Sequence, residues 1–433
     1  MISPRSAAPD LSRLLQSAAA AQSSGRAGEA VRLWEQVIER DPAQPVALNA
    51  LGMQAQARGE AATARDWFER AAAADPSSPR LLLNLASAER LASNDVGEER
   101  ALRRALELDQ RLLMAHIRLA ELHERRGEDN LAWRHWGAVI AAAEMVNPKP
   151  PGLDQVVAQA QAYVSARNTR FAALLDAGLA PARDGLSARD RRRFDAAIDA
   201  MVGRRQLYAS QCHGFHFPFL AADEYFDREH FSWMPALEAR TAAIRAELEE
   251  LLATRADAFK PYVAMERGTP ENIWSALDNS LDWSALHLWR HGRRNDELCA
   301  RCPETTAALA ALPQADIDGR SPTAFFSVLK PRTHLPAHTG VTNVRVTCHL
   351  ALVVPEGCRF RVGGETRPWR EGECFAFDDT IEHEAWNDSD RMRAVLIFDA
   401  WNPYLSEAER ALVRTFFATA DASEQALPLT THD

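Results

Sequence analysis

A spacing of 34 residues recurs through the first third of the chain and restricts how that part can fold. Asp41, Asp75 and Asp109 lie 34 residues apart, and each closes an apolar stretch with helical periodicity. A unit of this length has room for two helices and a tight turn, but it cannot bury its apolar face alone. Successive units are therefore predicted to stack into an α-solenoid. Large apolar residues occupy a second phase of the repeat: Trp34, Phe68, Leu102 and Trp136.

Glycines mark the turn inside each unit. Gly25, Gly59 and Gly127 share one phase of the repeat, and Ser93 takes the place of glycine in the third unit. The period and its phases resemble the tetratricopeptide repeat over roughly residues 10–145. Arrays of such repeats bind proteins or peptides, or they have structural roles such as dimerisation, so we expect a protein or peptide partner.

Composition excludes several classes of protein. A chain of 433 residues is long enough for two or three domains, and 46% hydrophobic and 25% charged residues are ordinary globular values. A net charge of −10 argues against a nucleic acid or an anionic membrane as the main partner. Six cysteines in a chain of this length do not form a disulfide framework. Because no apolar stretch is long enough to span a membrane, we expect a soluble cytoplasmic protein.

Breaks in composition suggest the domain borders. The Pro- and Gly-rich segment VNPKPPGLD follows the last repeat unit, and helical periodicity then resumes. The predicted organisation has four parts: a repeat domain at 1–147, a helical linker at 148–205, a second domain at 206–415 and a C-terminal tail at 416–433.

Alternating apolar and polar residues replace the helical period from about residue 320. This pattern predicts β-strands separated by turn residues. Closely spaced strands of this kind indicate a sandwich or a jelly roll, with the helical segment 235–253 packed on its outside. The predicted strands are 323–330, 344–354, 358–362, 373–378 and 393–401.

Two histidines fall at strand ends within this region. His338 lies just before the strand 344–354, His383 lies at a turn between later strands, and Arg393 begins the next strand. Imidazoles that hold iron and a guanidinium that holds a carboxylate suit an Fe(II) enzyme using 2-oxoglutarate. The usual iron triad has a carboxylate two residues after the first histidine, where this chain has Gly340. The spacing therefore favours either a two-histidine metal site completed by water or two ordinary polar loop residues.

Longer motifs resolve this choice. HTGVTN at 338–343, HLALVVP at 349–355, FDDTIEHE at 377–384 and the DAW that ends the last strand occur in order. With the segment 283–309, they resemble the aspartyl/asparaginyl β-hydroxylase family, and the resemblance extends back to 216–239. That family carries glycine in place of the triad carboxylate, so Gly340 supports the resemblance. The resemblance implies a double-stranded β-helix of the jelly-roll or cupin-like type, with flanking helices.

The resemblance also implies roles for individual residues. His338 and His383 would bind Fe(II), while Ser327, His349 and Arg393 would hold the co-substrate 2-oxoglutarate. Asp379, four residues before the second histidine, would orient a metal-bound water or a ligand imidazole, or would simply cap a turn.

Substrate recognition departs from the family pattern. Arg345 corresponds to an arginine that pairs with the substrate carboxylate, but the second family arginine is Thr347 here. Arg293 or Arg294 would compensate for the missing cation. Arg345, Thr347 and His349 alternate along one strand, so we expect them to share the face that lines the barrel.

A lone CxxC pair, Cys299 and Cys302, precedes the strands. Free thiols, a redox pair and half of a zinc site are the open interpretations, and no two further zinc ligands are suitably spaced.

The sequence thus predicts an Fe(II)- and 2-oxoglutarate-dependent dioxygenase. It would use O2 to hydroxylate Cβ of Asp or Asn in a protein or peptide, which the repeats recruit. The alternatives are a hydroxylase of a small molecule or peptide natural product and a non-catalytic repeat adaptor with a relic oxygenase fold. The complete set of His338, His349, His383 and Arg393 argues against the relic.

Overall fold

The computed structural model describes residues 8–423. The chain divides into two compact units, the first ending at Asp184 and the second beginning at Gly185. The predicted linker 148–205 is divided between these units. Its place as a separate segment stays a prediction, as do the other domain borders.

Helices that repeat in register build the first unit. α2, α4, α6 and α8 begin 34 residues apart, as do α3, α5 and α7. Each even-numbered helix packs against the helix before it and the helix after it, so the predicted stack of helix pairs is confirmed. The helices are α1 Ala8–Ser23, α2 Ala27–Arg40, α3 Pro45–Ala57, α4 Ala61–Ala74, α5 Pro79–Leu91, α6 Asp95–Leu108, α7 Leu113–Arg125, α8 Asp129–Glu144 and α9 Leu153–Arg183.

The aspartate of each repeat ends one helix and starts the connection to the next. In each of three units, an aspartate carboxylate oxygen accepts a hydrogen bond from the backbone N–H two residues later, at 3.0–3.2 Å. This local bond competes with helix continuation and forms a turn. The three aspartates are Asp41, Asp75 and Asp109.

The turn inside each pair needs a left-handed backbone. Gly25, Gly59 and Gly127 have φ of 72°, 76° and 69°, and Ser93 has φ of 56° at the equivalent position. Glycine adopts this conformation without steric cost, whereas a side chain is strained there. The predicted glycine turns are confirmed.

The second unit contains helices and antiparallel strands. Its helices are α10 Ala188–Met201, α11 Met234–Glu238, α12 Thr241–Thr254, α13 Asp296–Arg301, α14 Pro303–Ala310 and α15 Glu407–Asp421, with 3-10 turns at Arg228–His230 and Ala256–Ala258. Its strands are β1 Lys260–Pro261, β2 Trp283–Arg290, β3 Arg293–Arg294, β4 Ala324–Leu329, β5 Thr333–His338, β6 Arg345–Val353, β7 Cys358–Val362, β8 Glu365–Pro368, β9 Cys374–Phe377, β10 His383–Asn387 and β11 Arg393–Trp401.

These strands form two sheets. The larger sheet has the order β1-β2-β4-β11-β6-β9, with β3 paired to β2, and the smaller has the order β5-β10-β7-β8. Ala351 and Val395 of the larger sheet pack in one apolar cluster with Phe360 and Ala385 of the smaller. The two sheets therefore pack face to face. On the other face of the larger sheet, α12 packs in a separate cluster.

The predicted antiparallel domain is thus confirmed, and the five predicted strands occur within two residues of their expected ends. His338 ends β5 and His383 begins β10, so each histidine lies at a strand end as expected, although these two strands were not among those predicted. Among the described residues, no helix is long and apolar enough to cross a membrane.

Replacing Ser93 with glycine should stabilise the repeat unit. The substitution removes the strain of a side chain at positive φ, so we expect the free energy of unfolding to rise by about 0.5–1 kcal/mol. Urea unfolding followed by circular dichroism at 222 nm measures the change. The matched variant is Gly59→Ser, where no atom lies within 4 Å of the added Cβ. It should destabilise by a similar amount, and a neutral effect in both variants would contradict the explanation.

Candidate functional site

The strand register brings His338 and His383 together. They are direct partners in the β5–β10 pair, and their ring centroids lie 4.1 Å apart. A register shift follows this pair, between His383 and Ala385. Such irregularities commonly re-aim side chains beside functional sites.

Both imidazoles are held in one orientation by backbone carbonyls. His338 Nδ1 lies 2.7 Å from the carbonyl oxygen of Pro336, and His383 Nδ1 lies 3.0 Å from that of Ile381. A carbonyl only accepts, so each Nδ1 carries the proton and each Nε2 keeps a lone pair. Burial lowers the pKa of His338 to about 3 and that of His383 to about 4. Both rings are therefore neutral near pH 7, the state that binds metals.

Asp379 occupies the space beside Gly340. A Cβ on Gly340 would lie 2.4 Å from the carboxyl carbon of Asp379, so a side chain at this position would collide with the carboxylate. The Gly340 N–H also donates to the Asp379 carbonyl at 2.6 Å, and Thr347 Oγ1 donates to Asp379 Oδ2 at 3.1 Å. Position 340 has no carboxylate of its own. The carboxylate of Asp379, from the segment after β9, fills the space where a side chain of residue 340 would lie.

Arg393 is a buried cation beside the histidine pair. Its side chain is 1% exposed, and it is ion-paired with no carboxylate of the described residues. Its Nη1 lies 3.5 Å from Ser327 Oγ, which also accepts a hydrogen bond of 3.1 Å from Trp283 Nε1. Its guanidinium lies 4.7 Å from the ring centroid of Trp369. Burial lowers the pKa of Arg393 to about 10, which still leaves the group charged near pH 7.

His349 lies close to this cation. Burial, and after it the charge of Arg393, holds the pKa of His349 well below its usual range. His349 Nδ1 and Arg393 Nε are both buried without a hydrogen-bond partner in the described part of the chain. Because buried polar atoms are normally paired, these two atoms indicate a site for an anionic or polar ligand.

Aromatic rings enclose His349 and exclude water from this site. Their ring centroids lie between 5.1 and 6.2 Å from that of His349. The rings belong to Phe360, Trp369, Phe375 and Phe377.

Two elements of the site were missed by the sequence analysis. Trp274, in the loop before β2, contacts His338 edge-on with 4.8 Å between ring centroids. His213 Nε2 lies 3.0 Å from Thr339 Oγ1, and Gln211 N–H donates to the Thr380 carbonyl at 2.7 Å. These segments have neither regular periodicity nor a motif, so only their place in the fold shows that they border the histidines.

Arg345 lies on the same face of β6 as Thr347 and His349. The neighbouring residues Val346 and Cys348 pack on the opposite face in the cluster with α12, as the predicted alternation requires. Arg345 Nη1 is 3.3 Å from Asp399 Oδ2, an ion pair with 16% and 2% exposed side chains. The positive charge of Arg345 is thus largely balanced within the protein.

Arg293 and Arg294 are not brought to the histidine pair. They form β3, which pairs only with β2 in the described sheets, and β4 and β11 separate β2 from β6. Both side chains are exposed, and Arg294 pairs with Asp296. Compensation for the missing arginine by either residue has no support in this arrangement.

Cys299 and Cys302 are free thiols that are 2% and 0% exposed. Burial raises the pKa of Cys302 to about 12, which leaves a protonated and unreactive thiol. Within residues 8–423, no group of three His, Cys, Asp or Glu side chains is arranged to hold a metal.

Comparison with known proteins shows what the C-terminal part of the chain resembles. A family model described as Aspartyl/Asparaginyl beta-hydroxylase matches residues 238–403. The human aspartyl/asparaginyl beta-hydroxylase is 42% identical over 130 residues, which are 30% of this chain and 17% of that protein. The human aspartate beta-hydroxylase domain-containing protein 2 is 32% identical over 208 residues, 47% of this chain and 54% of that protein.

A bacterial relative is named for a different activity. The ornithine lipid ester-linked acyl 2-hydroxylase of Rhizobium tropici is 34% identical over 189 residues, 42% of this chain and 62% of that protein. The chain thus spans between 17% and 62% of the length of these curated relatives.

Solved structures also resemble about a third of this chain. MamA from Desulfovibrio magneticus RS-1 is 20% identical with a TM-score of 0.30, covering 32% of this chain and 77% of that chain. YrrB, a TPR protein, is 19% identical with a TM-score of 0.30, covering 35% and 75%. Residues 238–403 thus resemble the aspartyl/asparaginyl β-hydroxylase family, and helix pairs with a 34-residue period precede this segment.

Adding a methyl group at Gly340 should destabilise the site. Gly340→Ala forces the Asp379 carboxylate to move, and overpacking of this kind costs about 1–3 kcal/mol. Thermal unfolding of the full chain measures the loss. In an Asp379→Ala background the same change should cost clearly less, because the colliding atoms are gone. Equal costs in both backgrounds would contradict the packing that we describe.

Proposed function

We propose that this chain is an Fe(II)- and 2-oxoglutarate-dependent dioxygenase that hydroxylates Cβ of aspartyl or asparaginyl side chains in a protein or peptide. The buried guanidinium of Arg393 beside the histidine pair carries this proposal. A buried charge without a counter-ion is costly, and a dicarboxylate ligand would remove that cost. The match of residues 238–403 to the hydroxylase family model supports the same reaction class.

The fold that we propose for the second unit is a double-stranded β-helix. The eight strands β4–β11 divide equally between the two sheets, as β4-β11-β6-β9 and β5-β10-β7-β8. This order supports a jelly roll in which the site opens between the sheets. We place this oxygenase domain at residues 206–415.

The donor set fits Fe(II). His338 and His383 offer two neutral Nε2 atoms, and their Nδ1 atoms are fixed by carbonyls, which is the usual support for metal-bound imidazole. Asp379 would accept a hydrogen bond from a water that completes the coordination. When bound, iron with 2-oxoglutarate and O2 supplies the oxidation that inserts one oxygen atom into a substrate C–H bond, leaving succinate and CO2.

The chain's own residues would position the co-substrate. Arg393 would bind its far carboxylate, and Ser327, held by Trp283, would accept or donate a further hydrogen bond. His349 would offer its unpaired Nδ1 to the same ligand. The surrounding aromatic rings exclude water, which strengthens these polar interactions.

Recognition of the substrate rests on Arg345 in this proposal. Its ion pair with Asp399 holds the guanidinium at the start of β6. Thr347 does not supply a second cation, and it holds Asp379 instead. A neutral asparaginyl side chain therefore suits this site at least as well as an aspartyl one.

A hydroxylase of another acyl compound is the second candidate. The similarity to an ornithine lipid acyl 2-hydroxylase favours it, together with the balanced charge of Arg345. A non-catalytic adaptor is a third hypothesis, and the buried set of His338, His383 and Arg393 argues against it.

The repeats would recruit the protein substrate. Large apolar side chains are exposed on the first helices of several pairs, where the solenoid packing does not need them. In this proposal these residues form part of the surface that contacts the substrate protein. They are Val46 and Met53 on α3, Leu91 on α5 and Met114 on α7.

Removing either histidine should abolish turnover. His338→Ala and His383→Ala each delete one of two protein ligands, so iron-dependent release of succinate from 2-oxoglutarate should fall to background. His334→Ala is the matched control, because His334 is an exposed residue of the same strand β5. Unchanged succinate release in His383→Ala would refute the iron site.

Changing Arg393 should weaken the binding of 2-oxoglutarate. Arg393→Lys loses the two-pronged contact with a carboxylate, and charged hydrogen bonds contribute about 1.5–3 kcal/mol, so KM should rise about 10- to 100-fold. Initial rates at varied 2-oxoglutarate measure the change. Arg359→Lys, an exposed arginine beside Asp388, should leave KM unchanged. Equal KM values in all three proteins would contradict the assignment.

Charge on the repeat surface should impair the hydroxylation of protein substrates. Val46→Glu with Met114→Glu should reduce the +16 Da labelling of Asp or Asn in lysate proteins, measured by mass spectrometry. Succinate release without a protein substrate should not change. Val96→Glu, on the exposed face of α6, is the control. Full labelling by the double variant would show that these residues do not recruit the substrate.

A further inference from the structure

Three histidines converge in the fourth helix pair. His116 and His123 lie on α7, and His135 lies on α8. Each of these histidines has an equivalent residue in each of the three earlier helix pairs. Eight of these nine equivalent residues are apolar, so the packing of a helix pair does not require histidine at these positions. The equivalents are Leu14, Leu48 and Leu82 for His116, Ala21, Ala55 and Glu89 for His123, and Leu33, Trp67 and Ala101 for His135.

Their rings are in direct contact. His116 Nδ1 and His135 Nδ1 are 3.1 Å apart. The rings of His123 and His135 are stacked, with 5.5 Å between centroids and 12° between planes. Only His123 is fully buried, at 0% exposed, so an ion can reach the other two from solvent.

One ring nitrogen of His116 and one of His123 are hydrogen-bonded in the way that is common for metal-binding histidines. His116 Nε2 donates to the carbonyl oxygen of Gln110 at 3.0 Å, and His123 Nδ1 donates to Glu128 Oε2 at 2.6 Å. Metal ligands commonly have this support from a carbonyl or a carboxylate. It leaves a lone pair on His116 Nδ1. It also leaves one on His123 Nε2, a buried atom without a partner among the described residues.

We propose that the fourth helix pair binds a divalent transition-metal ion such as Zn²⁺ through Nδ1 of His116 and Nδ1 of His135. Water completes the coordination, because no three candidate ligands of the described chain are suitably arranged. Two nitrogens at about 2.0–2.1 Å from a tetrahedral zinc lie about 3.3 Å apart, close to the separation of these two atoms. Imidazole ligands without thiolates select zinc, copper or nickel over calcium and magnesium.

Two arginines oppose a cation at this pair, and one of them is neutralised by an ion pair. Arg103 and Arg134 face His135, and Arg103 is ion-paired with Glu99 at 2.5 Å. Glu128 adds a negative charge beside His123. The competing explanation is a simple hydrogen bond in which His135 Nδ1 donates to His116 Nδ1. It needs no metal, and a titration separates the two explanations.

Zinc titration of the full chain carrying His383→Ala tests the site. This background removes a ligand of the other histidine pair, so bound zinc reports on the repeat site. Calorimetry in a buffer without chelators should show one equivalent of zinc. His116→Leu and His135→Leu should each weaken the affinity about 10-fold or more, as loss of metal-site residues typically does.

Leucine is the residue that these phases carry in other pairs, so the variants should fold, and circular dichroism checks this. His135→Asn removes the ligand and keeps a polar side chain, and it should also weaken binding. His334→Leu deletes an exposed histidine elsewhere and should bind zinc like its parent. The proposal is overturned if the parent binds no zinc, or if its affinity is unchanged by His116→Leu and His135→Leu.

Discussion

The second unit is organised around a buried positive charge. Arg393 begins β11, the strand between β4 and β6 in the larger sheet, and its guanidinium is withdrawn from water by the aromatic rings around it. Burial of a charge without a partner is expensive, and proteins keep such groups where a ligand compensates. Ser327 and His349 lie on the two neighbouring strands, so in the proposed function this one cation would set the position of the co-substrate.

The histidine pair depends on strand register and not on a local motif. β5 and β10 place His338 opposite His383, and backbone carbonyls set both ring orientations. The glycine that replaces a ligand carboxylate makes room for Asp379. Gly340, Thr347 and Asp379 therefore form one packed group, in which the residue that departs from the family pattern holds the carboxylate.

Repetition made the first unit the most predictable part of the fold. One period determined the helix pairs, their turns and their buried contacts, since each position recurs in an equivalent environment. The residues of the site were predictable where motifs contain them, as with His338, His349, His383 and Arg393. Trp274 and His213 were not, because irregular loops carry them to the site. Arg293 and Arg294 lie on β3, which pairs with β2, and their role in substrate binding stays a prediction.

The ligand arrangement is tested most directly by a crystal structure grown without oxygen in the presence of Mn²⁺ and 2-oxoglutarate. We predict an anomalous peak between Nε2 of His338 and Nε2 of His383. We also predict a dicarboxylate whose far end contacts Arg393 and Ser327. A metal bound elsewhere, or a dicarboxylate that does not reach Arg393, would contradict the proposed oxygenase site.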